Sequence, residues 1–62
     1  MPIVTIVSNP LDVEQKRELV REITETCSRV MSLPPQTIVV ILDEKQAENI
    51  GVAGTLLADR AA

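Results

Sequence analysis

One group in the sequence could act as a base at neutral pH, and it is the backbone nitrogen of Pro2. The chain has no histidine and one cysteine, Cys27. A small second residue allows an aminopeptidase to remove Met1, which leaves the Pro2 nitrogen as a free secondary amine. Such an amine titrates near pH ~8, and burial or a nearby positive charge lowers its pKa. We predict a base for proton abstraction beside a carbonyl; alternatively, Pro2 only opens an edge strand.

The other residues that could do chemistry favour structural roles. Cys27 falls on the apolar stripe of a predicted helix, where a thiol belongs to the core more often than it acts as a nucleophile. Asp43 and Glu44 are expected to end a strand rather than act as acids, and Lys16 and Lys45 are expected to be solvated. One cysteine without histidine leaves too few ligands for zinc. We therefore predict no metal site and no cofactor.

Composition limits the kinds of partner that the chain can bind and the cell compartment in which it is expected to work. The net charge is −3 and the chain has no aromatic residue. No basic stripe can neutralise phosphates and no ring can stack on bases, which argues against nucleic acid. No apolar run is long enough to span a membrane, and no signal peptide precedes the first predicted strand. The unpaired Cys27 fits a reducing environment, so we expect a cytoplasmic protein without a membrane partner.

A strand, a turn and a long helix are predicted in the first half of the chain. Residues 2–8 are mostly β-branched and predict a strand, followed by a turn. Asp12 is typical of a helix N-cap, and Gln15 three residues later resembles a capping box. The helix is expected to run to about residue 32, where Pro34-Pro35 ends it. Its apolar side chains recur at spacings of three and four and form one stripe.

The second half predicts a strand covered on both faces. Residues 37–42 are apolar at successive positions, a pattern that belongs to a buried parallel strand. Strand, helix and strand together make a right-handed βαβ unit, in which one helix covers one face. The other face must then meet another subunit. Asn49 and the glycines at 51 and 54 predict a tight hairpin or a loop over 49–54, and the tail 55–62 is expected to dock on a neighbour.

The size of the chain also favours an oligomer. We expect a single domain over residues 1–62. Apolar burial contributes on the order of 90 kcal/mol, and ordering the residues costs about the same. These two free energies nearly cancel, and neither a disulfide nor a zinc site can add the stability that is missing. Association of several copies is the remaining common source of that stability.

Four features occur in an order that resembles a known family along essentially the whole chain. They are Met1-Pro2, the helix opening 14–17, the strand 38–44, and Asn49-x-Gly51-x-x-Gly54. They resemble the 4-oxalocrotonate tautomerase family, in particular its DmpI-like branch. The resemblance implies an α/β (α+β) fold of the tautomerase/MIF-like type. Its βαβ protomer carries a C-terminal hairpin and dimerises into a four-stranded sheet with two helices; three dimers make a hexamer.

The resemblance also implies an activity and its site residues. Pro2 would be catalytic and would move a proton between carbons of an enol or dienol keto acid, a small-molecule substrate. The well-known enzymes place one arginine in the turn after the first strand, where this chain has a shorter turn without arginine that ends at Leu11. They place a second arginine and an aromatic ring where this chain has Val39 and Ile50. Leu11, Val39 and Ile50 are therefore the candidate substrate-binding positions that the resemblance implies. Arg60 of a neighbouring subunit could bind a carboxylate, although a surface arginine is the simpler expectation. The alternative function is a non-catalytic oligomeric homologue that has lost the carboxylate-binding arginines.

Overall fold

The computed structural model describes residues 1–60, and a strand–helix–strand unit forms its main part. A short hairpin follows that unit. Within residues 1–60, 3-10 turns at Pro35–Thr37 and Ala47–Asn49 connect these elements, and a third at Leu57–Asp59 follows the hairpin. The helix and strands are β1 (Ile3–Ser8), α1 (Val13–Met31), β2 (Val39–Glu44), β3 (Gly51–Val52) and β4 (Thr55–Leu56).

The two long strands are parallel, as predicted. Ile3 pairs with Val39 at one end of the sheet, and Ser8 pairs with Glu44 at the other. Beyond each end the ladder gains one more hydrogen bond. The N–H of Val39 donates to the carbonyl of Pro2 at 3.0 Å, and the N–H of Lys45 donates to the carbonyl of Ser8 at 2.8 Å. The register therefore fixes Pro2 and Lys45 at opposite ends of the sheet.

The predicted start of α1 is confirmed. Asp12 is the N-cap, and its side chain accepts from the N–H of Gln15 at 2.8 Å. The Gln15 side chain accepts from the N–H of Asp12 at 3.2 Å, which completes the capping box. Two backbone donors that a helix start leaves without helical partners are thus satisfied.

The helix α1 is ended by a different residue from the one predicted. The helix stops at Met31, because Ser32 adopts a left-handed conformation with φ 56°. The N–H of Leu33 then donates to the carbonyl of Ser28 at 3.1 Å, and the Ser28 hydroxyl donates to the carbonyl of Leu33 at 2.6 Å. The chain has therefore already left the helix before the proline pair at 34–35.

The second strand begins and ends two residues later than predicted, over Val39–Glu44 instead of 37–42. Thr37 lies in a 3-10 turn, where its N–H and its hydroxyl both donate to the carbonyl of Pro34, at 3.0 and 2.7 Å. These bonds hold Thr37 out of the ladder. Asp43 and Glu44 consequently belong to the strand and do not merely follow it.

The helix covers one face of the sheet and leaves the other open. Side chains of β1 alternate between half-buried and exposed, so Val4 and Ile6 share the helix side. An ion pair between Lys16 of α1 and Glu44 of β2 identifies that side. The opposite face exposes Ile3, Val7 and Ile41, the first two by 60% and 63%.

The isolated chain exposes more surface than a compact protein of its mass. Its accessible surface is 4753 Å², against about 3,950 Å² expected for a folded monomer of this mass. Its radius of gyration is 15.0 Å, against about 11 Å for a compact chain of this length. No residue of 1–60 is fully buried. The described chain is thus an open unit without a closed core.

Candidate active site

Pro2 lies at the amino end of the parallel sheet. Its ring is half-buried, and its carbonyl accepts the hydrogen bond from Val39 described above. Met1 precedes it with 88% of its surface exposed. A proline has no N–H to leave unpaired, so the edge position costs no donor. The backbone of Pro2 is therefore fixed by the sheet, while Met1 in front of it is accessible.

Val39 is the one other predicted site residue that a single chain brings to Pro2. It is half-buried and lies opposite Ile3, next to the carbonyl of Pro2. Its isopropyl side chain offers neither charge nor hydrogen bond. The immediate surroundings of Pro2 contributed by Val39 are therefore apolar apart from backbone groups.

Leu11 lies at the other end of the sheet. Its N–H donates to Oε2 of Glu44 at 2.6 Å, beside the pairing of Ser8 with Glu44. The two ends are separated by the length of β1, about 17 Å at ~3.3 Å per residue. Leu11 and Pro2 of one chain cannot therefore contact the same small substrate. A joint site would need Leu11 from another copy.

Ile50 and Arg60 belong to the hairpin segment. The half-buried Ile50 accepts at its carbonyl the N–H of Leu57 at 2.7 Å, while Arg60 is exposed and its N–H donates to the carbonyl of Leu57 at 3.2 Å. Within residues 1–60, the Arg60 guanidinium makes no ion pair. Both residues are thus available to a neighbouring copy.

The predicted hairpin is confirmed, with β3 antiparallel to β4. Two residues with positive φ form its turn, Ala53 at 52° and Gly54 at 85°. Turns of this hand match the twist of the flanking strands and favour glycine or asparagine at both positions. Ala53 therefore occupies a backbone conformation that its Cβ disfavours.

The structure reveals one polar cluster that sequence reasoning missed. Oε1 of Glu44 lies 2.7 Å from Nζ of Lys16, and the two side chains are 28% and 33% exposed. The hydrogen bond from Lys16, followed by that from the N–H of Leu11, lowers the pKa of the Glu44 carboxyl. Lys16 is thus paired rather than simply solvated. Lys45 in turn lies 3.3 Å from Asp43.

Three grooves in the described part of the chain lie along α1 between Leu11 and Glu22, and Pro2 lines none of these three. In the described part of the chain, no three histidine, cysteine or acidic residues come together as metal ligands. No helix among residues 1–60 has the length and apolar character needed to cross a membrane.

Comparison with known proteins identifies relatives over nearly the whole chain. The sequence profile of the family described as "Tautomerase enzyme" matches residues 2–60. A probable tautomerase of Halalkalibacterium halodurans is 39% identical over 62 residues, covering 97% of this chain and 100% of that protein. A crystal structure of a 4-oxalocrotonate tautomerase homologue superposes with a TM-score of 0.90 at 32% identity, covering 100% of both chains. DmpI from Archaeoglobus fulgidus gives 0.85 at 34% identity, covering 94% of this chain and 100% of that one.

Proposed function

The chain belongs to the tautomerase family, and on that premise we propose that it isomerises enol or dienol keto acids with Pro2 as the base. The observation that carries the proposal is the placement of Pro2. Its carbonyl is fixed by Val39 at the sheet edge, and Met1 is exposed in front of it. With Met1 removed, the Pro2 nitrogen is a secondary amine with a lone pair. With Met1 present, the same nitrogen is an amide.

One protein group carries the proton in the proposed reaction, namely the Pro2 nitrogen. The lone pair of Pro2 takes a proton from the hydroxyl or carbon of the substrate, and the electrons of the broken bond move into an enolate or dienolate. The protonated Pro2 then returns the proton to another carbon two or four atoms away. The nitrogen ends neutral, and the product is an isomer of the substrate. General acid–base catalysis of this kind contributes about 10²–10⁴-fold.

The substrate is expected to carry one carboxylate or none. Leu11, Val39 and Ile50 are all apolar, and none of them can bind an anion. The groups left to hold a carboxylate are the charged guanidinium of Arg60 of a neighbour and, through their dipoles, the neutral backbone N–H groups near Gly51 and Gly54. A second carboxylate would be left without a partner, which makes its desolvation unfavourable.

The working form is proposed to be a homo-oligomer, most simply a hexamer of three dimers. The open sheet face, the excess surface and the separation of Leu11 from Pro2 all support association. Sedimentation at micromolar concentration should show no stable folded monomer. Ile41→Asp should dissociate the assembly because it places a charge on the open face, whereas Thr5→Ser on the same face should not.

The cell compartment is proposed to be the cytoplasm. Cys27 has no cysteine partner within the chain, as expected for a thiol kept reduced. Fractionation of cells expressing the untagged chain tests this location, since recovery in an extracellular fraction would contradict it.

Two preparations of the same chain test the catalytic role of Pro2. One is processed to begin with Pro2, and the other keeps Met1, as verified by mass spectrometry. We expect the processed form to turn over phenylenolpyruvate at least about 100-fold faster. Equal rates would show that the Pro2 nitrogen is not the base. No turnover by either form would favour the non-catalytic oligomer, for which the apolar Leu11, Val39 and Ile50 are the supporting observation.

A further inference from the structure

The carboxylate of Glu44 joins three elements that the chain order keeps apart. It belongs to the last residue of β2, it accepts from Leu11 in the turn before α1, and it pairs with Lys16 in the first part of α1. Each carboxylate oxygen has its own partner, because Leu11 contacts Oε2 and Lys16 contacts Oε1. The arrangement places one ionised group at the junction of sheet, turn and helix.

The turn that Glu44 holds has few other restraints of its own. Pro10 has no N–H to donate, and the side-chain hydrogen bonds of Ser8 and Asn9 are made to the adjacent residue. Among the described residues, the hydrogen bond from the N–H of Leu11 to the side chain of Glu44 connects this turn to β2. A charged acceptor makes the stronger kind of hydrogen bond. The Leu11 backbone therefore depends on Glu44 for its position.

We propose that Glu44 is a positioning residue, which sets the place from which Leu11 meets substrate bound at Pro2 of another copy. This inference rests on the proposed function and extends it to a residue outside the reacting centre. Glu44 itself does not touch the substrate. It orders the Leu11 turn before the substrate arrives, and this reduces the loss of conformational freedom on binding. Loss of Glu44 is therefore expected to change KM rather than kcat.

The matched variants are Glu44→Ala, Glu44→Gln and Glu25→Gln, in the processed, assembled protein. Alanine removes both contacts, whereas glutamine keeps an oxygen that can accept from Leu11. Glu25 is an exposed partner of Arg21 on α1 and serves as the control for loss of a helix ion pair. With phenylenolpyruvate, Glu44→Ala should raise KM about 10-fold with kcat within about twofold. Glu44→Gln should recover most of the loss, and Glu25→Gln should match the parent.

A double variant tests whether Glu44 acts through Leu11. If it does, Glu44→Ala combined with Leu11→Ala has the same KM as Leu11→Ala alone, because nothing is left to position. Multiplication of the two single effects would overturn the inference. A loss confined to kcat, or an equal loss in Glu25→Gln, would overturn it as well. Sedimentation of each variant verifies that the assembly is unchanged.

Amide hydrogen exchange separates failure of this inference from failure of the proposed function. In Glu44→Ala the N–H of Leu11 should exchange about 10-fold faster. The N–H of Lys45, which donates to the carbonyl of Ser8 at the same end of the sheet, should keep its rate. If the parent protein shows no turnover, the proposed function fails, and the exchange of Leu11 still decides the role of Glu44. An unchanged Leu11 rate would show that Glu44 does not hold the turn.

Discussion

The two ends of the parallel sheet differ in polarity, because one is formed by apolar residues and the other by charged side chains. At the amino end, a backbone hydrogen bond joins Pro2 to Val39, a residue with an apolar side chain. At the carboxyl end, Glu44 joins Leu11 and Lys16 through charge-assisted bonds of 2.6 and 2.7 Å. Within residues 1–60, no charged side chain is hydrogen-bonded to Pro2 at the amino end, and the charged end lacks a candidate base.

This contrast shows what one copy of the chain cannot do alone. A base needs a dry, fixed site and a group that stabilises the developing negative charge. One chain provides the fixed backbone of Pro2, while Leu11 lies beyond the far end of β1, a strand about 17 Å long. Bringing the two ends together requires a second copy. The open sheet face and the extended shape provide the surface for that association.

Adding a charge to the amino end should produce the largest change. Val39→Arg should raise kcat/KM for a 2-hydroxymuconate-like dicarboxylate by about 10–100-fold, because a charge-assisted hydrogen bond contributes roughly 1.5–3 kcal/mol. Steady-state kinetics of the processed protein measure this. Val39→Met is the control for length without charge and should gain nothing. Equal behaviour of the two variants would show that the substrate carboxylate does not reach position 39.

Removing Arg60 tests whether the hairpin of another copy supplies the missing charge. Arg60→Ala should raise KM for a monocarboxylate by about 10-fold through loss of an anion contact. Arg29→Ala, which removes an exposed arginine near the end of α1, should leave KM unchanged. If Arg60→Ala behaves like Arg29→Ala in an active enzyme, the negative charge must be stabilised by backbone N–H groups instead.

Acid should lower the stability of the protein through protonation of Glu44 at the carboxyl end of the sheet. Pairing with Lys16 lowers the pKa of Glu44 in the folded state, so its contribution is present above the unfolded pKa and is lost as pH falls through the lowered one. Urea midpoints between about pH 7 and about pH 3, at one protein concentration, measure the loss. Glu44→Gln should show a shallower decline than the parent. A decline as steep as in Glu25→Gln would contradict this role.

The smallest effect is expected from a change that touches neither end. Ala53→Gly relieves a positive φ in the hairpin turn and should stabilise the protein by about 0.5–1 kcal/mol, after the entropic cost of glycine. Ala47→Gly, at a position with ordinary φ, should destabilise it by a similar amount. Urea unfolding of both variants provides the measurement. Destabilisation by Ala53→Gly would show that the turn is held by contacts that outweigh its strain.

Local patterns predicted the elements better than they predicted the site. The capping box of Asp12 and Gln15 was recognisable because its partners are three residues apart. The pair of Lys16 and Glu44 was not, since it depends on the packing of α1 against β2, which brings together two residues 28 positions apart in the sequence. The end of α1 was assigned to the prolines because a left-handed Ser32 carries no glycine signal.

The hydrogen bond from Val39 to Pro2 also has a consequence for the order of synthesis. Pro2 cannot take its place in the sheet until Val39, made 37 residues later, has left the ribosome. At ~5–20 residues per second, translation of that stretch takes about 2–7 s. During this interval the amino terminus is not yet paired with β2. If Met1 is trimmed during this interval, as the proposed role of Pro2 requires, then Pro2 is already a free amine when β1 pairs with β2.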